Sequence, residues 1–192
     1  MGFVVLYDAC VLYPAPLRDL LLRLAGSGLM QAKWTEEILD ECFRNILATR
    51  TGLDPAALAR TRALMNDAVP DCLVTGHKRL INAIQLPDAD DRHVLAAAIK
   101  AGAQAIVTFN LRDFPAQSLE PYGIEAVHPD DFVLDLLDLA AGAVCRVVIE
   151  QAAALKNPPR SVPELLDTLR AQGLTQSVAR LRIEFGAAGG LP

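Results

Sequence analysis

Short apolar runs alternate along this chain with segments in which apolar residues recur at helical spacing. Five of the runs have the length of β-strands: Phe3–Tyr7, Leu29–Trp34, Cys72–Thr75, Ala105–Phe109 and Ile124–His128. Strands that alternate with helices are typical of a parallel sheet whose connections are right-handed crossovers. The pattern therefore predicts an α/β fold of three layers, with ligands bound beyond the carboxyl ends of the strands.

Three of the segments between these runs carry the start and stop signals of helices. Each opens on a residue whose side chain can cap a helix: Thr35, Asp54 ahead of Pro55, and Asp88 or Asp90. Such side chains accept hydrogen bonds from backbone N–H groups of the first turn. The second helix is predicted to reach about Ala68, and Gly102 is predicted to end the third.

The pattern changes after residue 128. A long helix is predicted to start at Asp130 and Asp131 and to end near Leu155, and a proline-rich connector follows at 157–163. Two short amphipathic helices are predicted next, over Pro163–Ala171 and Thr175–Phe185. The glycine-rich end, Gly186–Pro192, is predicted to fray. The chain is therefore divided into an α/β domain and a helical extension, over residues 1–128 and 129–192.

The composition bounds the class of protein. The 192 residues are 52% hydrophobic and 21% charged, which is enough apolar surface to bury a core. The formal net charge of −5 argues against sequence-blind coating of nucleic acid but leaves room for a small basic groove. Four widely spaced cysteines favour reduced thiols over a disulfide framework or a zinc site. No signal peptide or membrane span is expected, so a cytoplasmic protein is predicted.

Acidic residues from distant parts of the chain fall at the edge of the sheet where ligands bind. Asp8 directly follows the first strand, Asp113 follows the fourth by four residues, Asp91 lies at the start of the third helix, and Glu41 lies on the first. Carboxylates that meet without lysines repel one another unless a cation lies among them, and such oxygen ligands suit Mg²⁺ or Mn²⁺. Each acid also has a structural interpretation, as a cap or as a solvated charge.

Basic residues outnumber acidic ones between Arg44 and Leu80, by six to three. Together with Arg92 and Arg112, which lie beside the acids in the sequence, this surplus favours an electrostatic approach for phosphates. Arg44, Arg92 and Arg112 are therefore candidate contacts to a nucleic acid. The alternative interpretation is an ordinary solvated helical surface.

Four strings of the sequence resemble, in order, the motifs of the PIN-domain ribonucleases. The strings are Phe3-Val4-Val5-Leu6-Tyr7-Asp8-Ala9-Cys10-Val11-Leu12, Thr35 with Glu41 six residues later, Asp91-Arg92-His93-Val94-Leu95-Ala96-Ala97-Ala98, and Ile106-Val107-Thr108-Phe109-Asn110-Leu111-Arg112-Asp113-Phe114-Pro115. The resemblance covers residues 3 to about 128. Within this family, the chain is most similar to the VapC-type toxins of bacterial toxin–antitoxin pairs, in the branch that carries a helical extension.

The resemblance implies a PIN-like fold and a Mg²⁺- or Mn²⁺-dependent endoribonuclease that cuts structured RNA. It further implies neutralisation by a cognate antitoxin, and it favours a homodimer. The metal ligands implied by position are Asp8, Glu41 and Asp91, with Asp113 as a further one. Thr108 would orient a ligand or a water molecule. Asn110 stands where many members carry an acid, and its amide oxygen remains a possible ligand, while Asp113 supplies negative charge.

Other classes of protein share parts of this pattern. A haloacid-dehalogenase-like phosphotransferase needs a second acid two residues after Asp8, where this chain has Cys10. A phospho-receiver domain needs paired acids and a late lysine, and both are missing. A catalytically inactive PIN-like binding module is the strongest rival, and Asn110 supports it. The apolar stripe of the last two helices either packs on the chain itself or docks an antitoxin or a second protomer.

Overall fold

A four-stranded parallel sheet forms the centre of the computed structural model, which describes residues 2–50 and 52–187. The strands lie in the order β2-β1-β3-β4, with the bounds Val4–Tyr7 (β1), Gln31–Lys33 (β2), Ala105–Val107 (β3) and Glu125–Val127 (β4). Every residue of β3 is fully buried, although neighbouring side chains point to opposite faces. Both faces of the sheet are therefore covered, and the predicted three-layer α/β/α fold is confirmed.

Helices connect and extend the sheet. They are Ala9–Leu12 (α1), Ala15–Gly26 (α2), Glu36–Thr49 (α3), Pro55–Ala68 (α4), Arg92–Ala101 (α5), Ala116–Leu119 (α6), Pro129–Ala154 (α7), Val162–Ala171 (α8) and Thr175–Ala187 (α9), with 3₁₀ helices at His77–Ala83 and Glu120–Tyr122. Two predicted caps are confirmed. The Thr35 hydroxyl accepts from the Ile38 N–H at 3.1 Å, and the Asp54 carboxylate accepts from the Ala56 N–H at 2.9 Å.

The strand predicted over Cys72–Thr75 is wrong. Within this segment only Leu73 forms a parallel bridge, and its partner is Trp34 at the end of β2. Leu73 is 39% exposed, so the segment lacks the two buried faces that stabilise β1 and β3. Gly76, with a φ of 76°, then turns the chain into the first 3₁₀ helix. The sheet edge beside β2 is therefore extended by a single bridge.

The cap predicted for the third helix is also wrong. α5 begins at Arg92, and its N-cap is Asp91 rather than Asp88 or Asp90. The Asp88 carboxylate instead accepts from the Asp90 N–H at 2.9 Å, which closes a local turn before the helix. The side chain of Asp91 makes no capping hydrogen bond. Its carboxylate is therefore available for other contacts.

Two helices differ from the sequence pattern. The predicted elements do not include α2, which begins behind Pro14 with Pro16 in its first turn and buries a leucine-rich face. The long helix α7 is not continuous, because the Ala140 backbone (φ −155°, ψ 60°) is not helical. The break lies close to Gly142, the weakest helix former in the interior of α7.

Within the described residues, no helix is long and apolar enough to cross a membrane.

The C-terminal helices pack on the chain itself. α7 contacts α2, and α9 contacts α7. The predicted apolar stripe is at most 1% exposed at each of Leu165, Leu166, Leu169, Leu174, Val178 and Leu181. Docking of a partner onto that stripe is therefore excluded in this conformation. Of the predicted frayed end, Gly186 and Ala187 belong to α9, and residues 188–192 lie outside the described part of the chain.

The start of α9 is capped by a residue of another helix. Asp130 of α7 is 4% exposed, and its carboxylate accepts from the backbone N–H groups of Ser177 at 2.8 Å and Gln176 at 2.9 Å. The Ser177 hydroxyl donates to the Asp130 carbonyl at 2.7 Å. These bonds satisfy donors that a helix N-terminus otherwise leaves unpaired.

Replacing Asp130 by alanine is expected to lower the free energy of unfolding by about 2 kcal/mol, because the buried Ser177 N–H and the partly buried Gln176 N–H lose their acceptor. The melting temperature should fall by about 4–8 °C. The matched control is Asp131→Ala, which removes an exposed carboxylate whose one hydrogen bond within the described residues is from the Gln176 amide at 3.3 Å. Thermal unfolding of both variants checks the prediction, and equal losses would contradict it.

Candidate metal-binding and active site

The strands β1 and β3 are neighbours in the sheet, and the chain adds β2 on the outer side of β1 and β4 on the outer side of β3, so the strand order reverses between β1 and β3. Two predicted site residues directly follow these two strands. Asp8 comes directly after β1, and Thr108 comes directly after β3. The Thr108 hydroxyl donates to Asp8 Oδ2 at 2.7 Å. Such a reversal opens a crevice at the carboxyl edge of a parallel sheet, where α/β proteins bind ligands.

Asp8 is a buried carboxylate surrounded by donors. It is 3% exposed, its Oδ1 accepts from the Ala9 N–H at 2.7 Å, and its Oδ2 also accepts from the Cys10 thiol at 3.1 Å. Asp8 also serves as the N-cap of the four-residue helix α1, so the structural interpretation of this residue is confirmed, and its functional role stays a prediction. Burial raises the pKa of Asp8, the bonds from Thr108, Cys10 and Ala9 lower it, and Glu41 raises it, with a net increase.

The pKa of Asp91 is affected by the negative charges of the other predicted acids. Its pKa is raised to about 7, first by burial and then by the negative charges of Asp8, Asp113, Asp88 and Glu41. Asp91 itself is half-buried at the start of α5. The charges of Asp8, Asp113 and Glu41 therefore act on Asp91, and that of Asp88 does so too, whereas the role of these four predicted acids as joint metal ligands stays a prediction.

Glu41 lies on α3, and its partner is a histidine that was not among the predicted site residues. His93 Nε2 lies 3.7 Å from Glu41 Oε2. Burial lowers the pKa of His93, but the bond to Glu41 and the charges of Glu41, Glu37 and Asp8 outweigh burial, so the pKa lies above its ordinary value. His93 therefore places positive charge beside the acids at lower pH. The signal that could have found it is its position, two residues after Asp91.

The loop after β3 is held by hydrogen bonds of its own backbone and by the Thr108 hydroxyl. The Asn110 N–H donates to the Thr108 hydroxyl oxygen at 2.9 Å, and the Asp113 N–H donates to the Asn110 carbonyl at 3.0 Å. The Asn110 side chain is exposed, and Asp113 is half-buried. Both side chains therefore stay available on the edge of the site, because the turn is closed by the main chain.

Cys10 belongs to the site, although its spacing suggested only a reduced core cysteine. Its sulfur donates to Asp8 and accepts from the Phe109 N–H at 3.2 Å. Burial and the charge of Asp8 raise the pKa of Cys10 to about 12, so the group stays a neutral thiol. All four cysteines are free, which agrees with the predicted reduced state. The position two residues after Asp8 was the signal for Cys10.

The helical extension reaches this loop through one glycine. Gly173, between α8 and α9, has a φ of 100°, and a Cβ placed on it would lie 3.2 Å from Phe109 Cε1. The Phe109 ring also meets the edge of His128 at a centroid distance of 5.2 Å. Only glycine allows this close approach without displacing the ring. The extension thus packs against the residue that follows Thr108.

The donor chemistry of the acidic region fits a hard divalent cation. The side chains are carboxylates that repel one another, and Asp8, Asp91 and Asp113 have no ion pair with lysine or arginine in the described part of the chain. Within residues 2–50 and 52–187, no three histidine, cysteine, aspartate or glutamate side chains are arranged to hold a metal ion together. Mg²⁺ typically keeps several waters and takes only one or two protein carboxylates.

The candidate nucleic-acid contacts lie in different settings. Arg44 and Arg112 are exposed, whereas Arg92 is half-buried beside Asp91. The Arg92 Nε is buried and has no hydrogen-bond partner among the described residues. These positions leave Arg44 and Arg112 open to solvent, and the assignment of all three to RNA stays a prediction.

The structure combines a parallel sheet, a buried aspartate after β1 and further acids near the same edge. Comparison with known proteins identifies the family of proteins to which a chain of this kind belongs. The PIN-domain family model matches residues 4–112, which is more than half of the chain, and the chain belongs to this family. A second model, the VapC50 C-terminal domain, matches residues 129–183.

The chain is also 40% identical, over 144 residues, to the "Putative ribonuclease VapC50" of Mycobacterium tuberculosis strain H37Rv. That match covers 75% of this chain and 82% of the relative. No solved structure matches the chain significantly. The resemblance to VapC-type proteins with a helical extension is therefore confirmed, whereas the domain boundary after residue 128 and the roles of the individual site residues stay predictions.

Proposed function

We propose that this protein is a metal-dependent endoribonuclease that cuts structured RNA and acts as the toxin of a VapBC-type pair. The observation that carries the proposal is the buried Asp8 carboxylate, which Thr108 orients at the strand-order reversal beside an Asp91 with a pKa of about 7. A relative whose printed name is a ribonuclease supports the same activity. Mg²⁺ or Mn²⁺ is the proposed cofactor.

The proposed ligands are Asp8, Glu41, Asp91 and Asp113. A divalent cation bound there would lower the pKa of a coordinated water and stabilise charge on a phosphate. Thr108, Cys10 and the Ala9 N–H fix the orientation of the Asp8 carboxylate. In the cation-free chain, Asp91 holds a proton through much of the range below about pH 7. Asn110 is proposed to add its amide oxygen at the edge of the site.

The substrate and partners follow from the same proposal. Arg44, Arg92 and Arg112 are the proposed contacts to RNA phosphates, whose binding by arginine weakens as salt is added. A cognate antitoxin is the proposed protein partner. A homodimer and a cytoplasmic location remain predictions of the sequence.

A catalytically inactive binding module is a second candidate. Two points favour it: Asn110 stands where the family resemblance implies an acid, and the described residues contain no assembled three-residue metal cluster. The two candidates differ in their response to a divalent cation. A working site binds the cation in the folded state and is stabilised by it, whereas an inactive module is not.

Incubation of the purified protein with total RNA tests the proposal. We expect discrete fragments with Mg²⁺ or Mn²⁺ and none with EDTA, because the proposed mechanism needs a bound cation to lower the pKa of the attacking water. A mock preparation from cells without the protein is the control for contaminating nucleases. Absence of cleavage by folded protein, together with an unchanged melting temperature in Mn²⁺, would support the inactive module instead. Cleavage that persists in EDTA would contradict the metal requirement.

A further inference from the structure

One turn of the helical extension contacts the PIN domain at two points, the start of α2 and the loop after β3. This turn, residues 172–174, joins α8 to α9 and is called the α8–α9 turn below. The Gln172 side chain accepts through Oε1 from the Leu17 N–H in the first turn of α2 at 3.0 Å. Pro14, the N-cap of α2, offers no side-chain acceptor, so the extension supplies one that this helix start needs.

The second contact of the α8–α9 turn is with the ring of Phe109. At Gly173, which has a φ of 100°, a Cβ would lie 3.2 Å from Phe109 Cε1 and 3.8 Å from Cζ. The same Cβ would lie 3.9 Å from Cε1 of His128, whose ring meets Phe109 at a centroid distance of 5.2 Å. The Phe109 ring therefore packs against both residues, and side chains packed this closely do not shift without displacing a neighbour.

The main chain of Phe109 is joined to the proposed metal site. Its N–H donates to Cys10 Sγ at 3.2 Å, and this sulfur donates to Asp8 Oδ2 at 3.1 Å. Thr108, the residue before Phe109, donates to the same carboxylate oxygen at 2.7 Å. The orientation of the Asp8 carboxylate therefore depends on two donors that are both tied to the Phe109 backbone.

The α8–α9 turn is itself held in place from α7. The Asp130 carboxylate accepts from the Ser177 N–H at the start of α9, and the Asp130 N–H donates to His128 Nδ1 at 3.1 Å. On the other side of the turn, the Gly173 N–H donates to the Arg170 carbonyl at 3.1 Å. Because the turn is fixed on both sides, a side chain added at Gly173 has to displace the loop after β3.

We propose that Gly173 is a positioning residue of the proposed metal site. The absence of a side chain there leaves room for the Phe109 ring, so that the loop after β3 holds both donors on the Asp8 carboxylate. Gln172 has the same role at the start of α2, which follows the short helix α1 that Asp8 caps. The helical extension thereby contributes to cation binding without supplying a ligand. The proposal rests on the proposed function, because it concerns the cation that this function requires.

Replacing Gly173 by alanine tests the proposal in the full-length protein. We expect the Mn²⁺ dissociation constant, measured by electron paramagnetic resonance well below the melting temperature, to rise at least about tenfold, as when a metal ligand loses its supporting contacts. Alanine at this φ also strains the backbone, so the matched control is Gly28→Ala. Gly28 has a φ of 81°, and a Cβ there meets no described atom within 4 Å. Its Mn²⁺ dissociation constant should stay within about twofold of the wild type.

The alkylation of Cys10 by iodoacetamide provides a readout that needs no metal. Its rate in EDTA, followed by peptide mass spectrometry, should increase at least about fivefold in Gly173→Ala, because the displaced loop no longer covers the sulfur. Cys42, which is fully buried on α3, is the internal reference for global unfolding and should react as in the wild type. A general loss of stability would instead accelerate the alkylation of both cysteines.

A second substitution shows whether the ring transmits the effect. In the double variant Gly173→Ala, Phe109→Leu, the smaller side chain leaves room for the added Cβ. Mn²⁺ affinity and the alkylation rate of Cys10 should then return to within about threefold of Phe109→Leu alone. The melting temperature should stay low, because the backbone strain at position 173 remains. Gln172→Ala introduces no such strain and carries the same measurements if Gly173→Ala does not fold, with an expected loss of Mn²⁺ affinity of about threefold.

The positioning role is overturned if Gly173→Ala matches Gly28→Ala in both Mn²⁺ binding and the alkylation of Cys10. It is also overturned if the double variant binds Mn²⁺ as weakly as Gly173→Ala, because the ring would then not transmit the effect. Absence of Mn²⁺ binding by the wild-type protein would contradict the proposed function itself. The alkylation rate of Cys10 would still decide, without any metal, whether the α8–α9 turn positions the loop after β3.

Discussion

Replacing Asp8 by asparagine is expected to lower the rate of metal-dependent RNA cleavage by at least about 100-fold. The substitution keeps the shape of the side chain but removes the charge of the proposed ligand that lies deepest in the site. The fold should survive, because the Thr108 hydroxyl can accept from an amide as readily as it donates to a carboxylate. Initial cleavage rates at saturating Mn²⁺, with the melting temperature measured beside them, check this expectation.

The matched control for this variant is Asp67→Asn, which removes the charge of an exposed aspartate on α4. Its cleavage rate should stay within about twofold of the wild type, as expected for a surface substitution. Retention of more than a third of the activity by a folded Asp8→Asn protein would refute the role assigned to Asp8. The Asp8 carboxylate would then have only a structural role, as the N-cap of α1.

Replacing Asp91 by asparagine is expected to stabilise the protein in EDTA at about pH 8 and to weaken its response to Mn²⁺. Burial and the carboxylates of Asp8, Asp113, Asp88 and Glu41 raise the pKa of Asp91 to about 7, whereas an unfolded aspartate titrates near about 3.9. The folded state therefore holds a proton that the unfolded chain has released. Stability falls as the pH rises from about 4 through about 7, and asparagine removes this loss.

The expected gain is modest because Asp91 is only half-buried and water screens its neighbours. Once screening by water is included, the expected gain in the free energy of unfolding at about pH 8 is about 1 kcal/mol, which corresponds to about 2–4 °C in melting temperature. At about pH 4 the gain is close to zero. Mn²⁺ should raise the melting temperature of the wild type, and should raise that of the variant less than half as much. Thermal unfolding with EDTA or Mn²⁺ at both pH values checks both effects.

Asp90→Asn is the control for this second experiment, because it removes an exposed charge next to the site residue. That variant should follow the wild type in both solutions. A loss of stability in Asp91→Asn at about pH 8 in EDTA would show that neighbouring charges do not destabilise this carboxylate. An undiminished effect of Mn²⁺ on the melting temperature of the variant would show that Asp91 is not a ligand.

Much of the local structure was predictable because the physical causes lie within a few residues. Thr35 caps α3 through an N–H three residues away, and Asp54 caps α4 through one two residues away. The apolar runs of β1 and β3 signalled parallel strands because such strands are buried on both faces. Acids placed after strands then pointed to one edge of the sheet.

Errors arose where strand pairing depended on a distant segment or where neighbouring residues were equivalent as caps. The Cys72–Thr75 run has the composition of a strand, but within the described residues a single bridge, from Leu73 to Trp34, pairs it with the sheet. Leu73 remains partly exposed, so the run is not buried on both faces as β1 and β3 are. Asp88, Asp90 and Asp91 are equivalent by sequence as caps of α5. Only the folded chain shows that Asp88 closes its own turn, while Asp91 lies among other carboxylates.

The sequence alone determined the α/β class, most helix starts and the four acids of the candidate site, because periodicity, capping and strand ends are local properties. Tertiary structure alone decided that β1 lies beside β3, which brings Thr108 to Asp8 across 100 residues of chain. It also decided the contact between Cys10 and Asp8 and the raised pKa of Asp91. Each of these depends on strand order and on burial, which arise only when distant segments pack together.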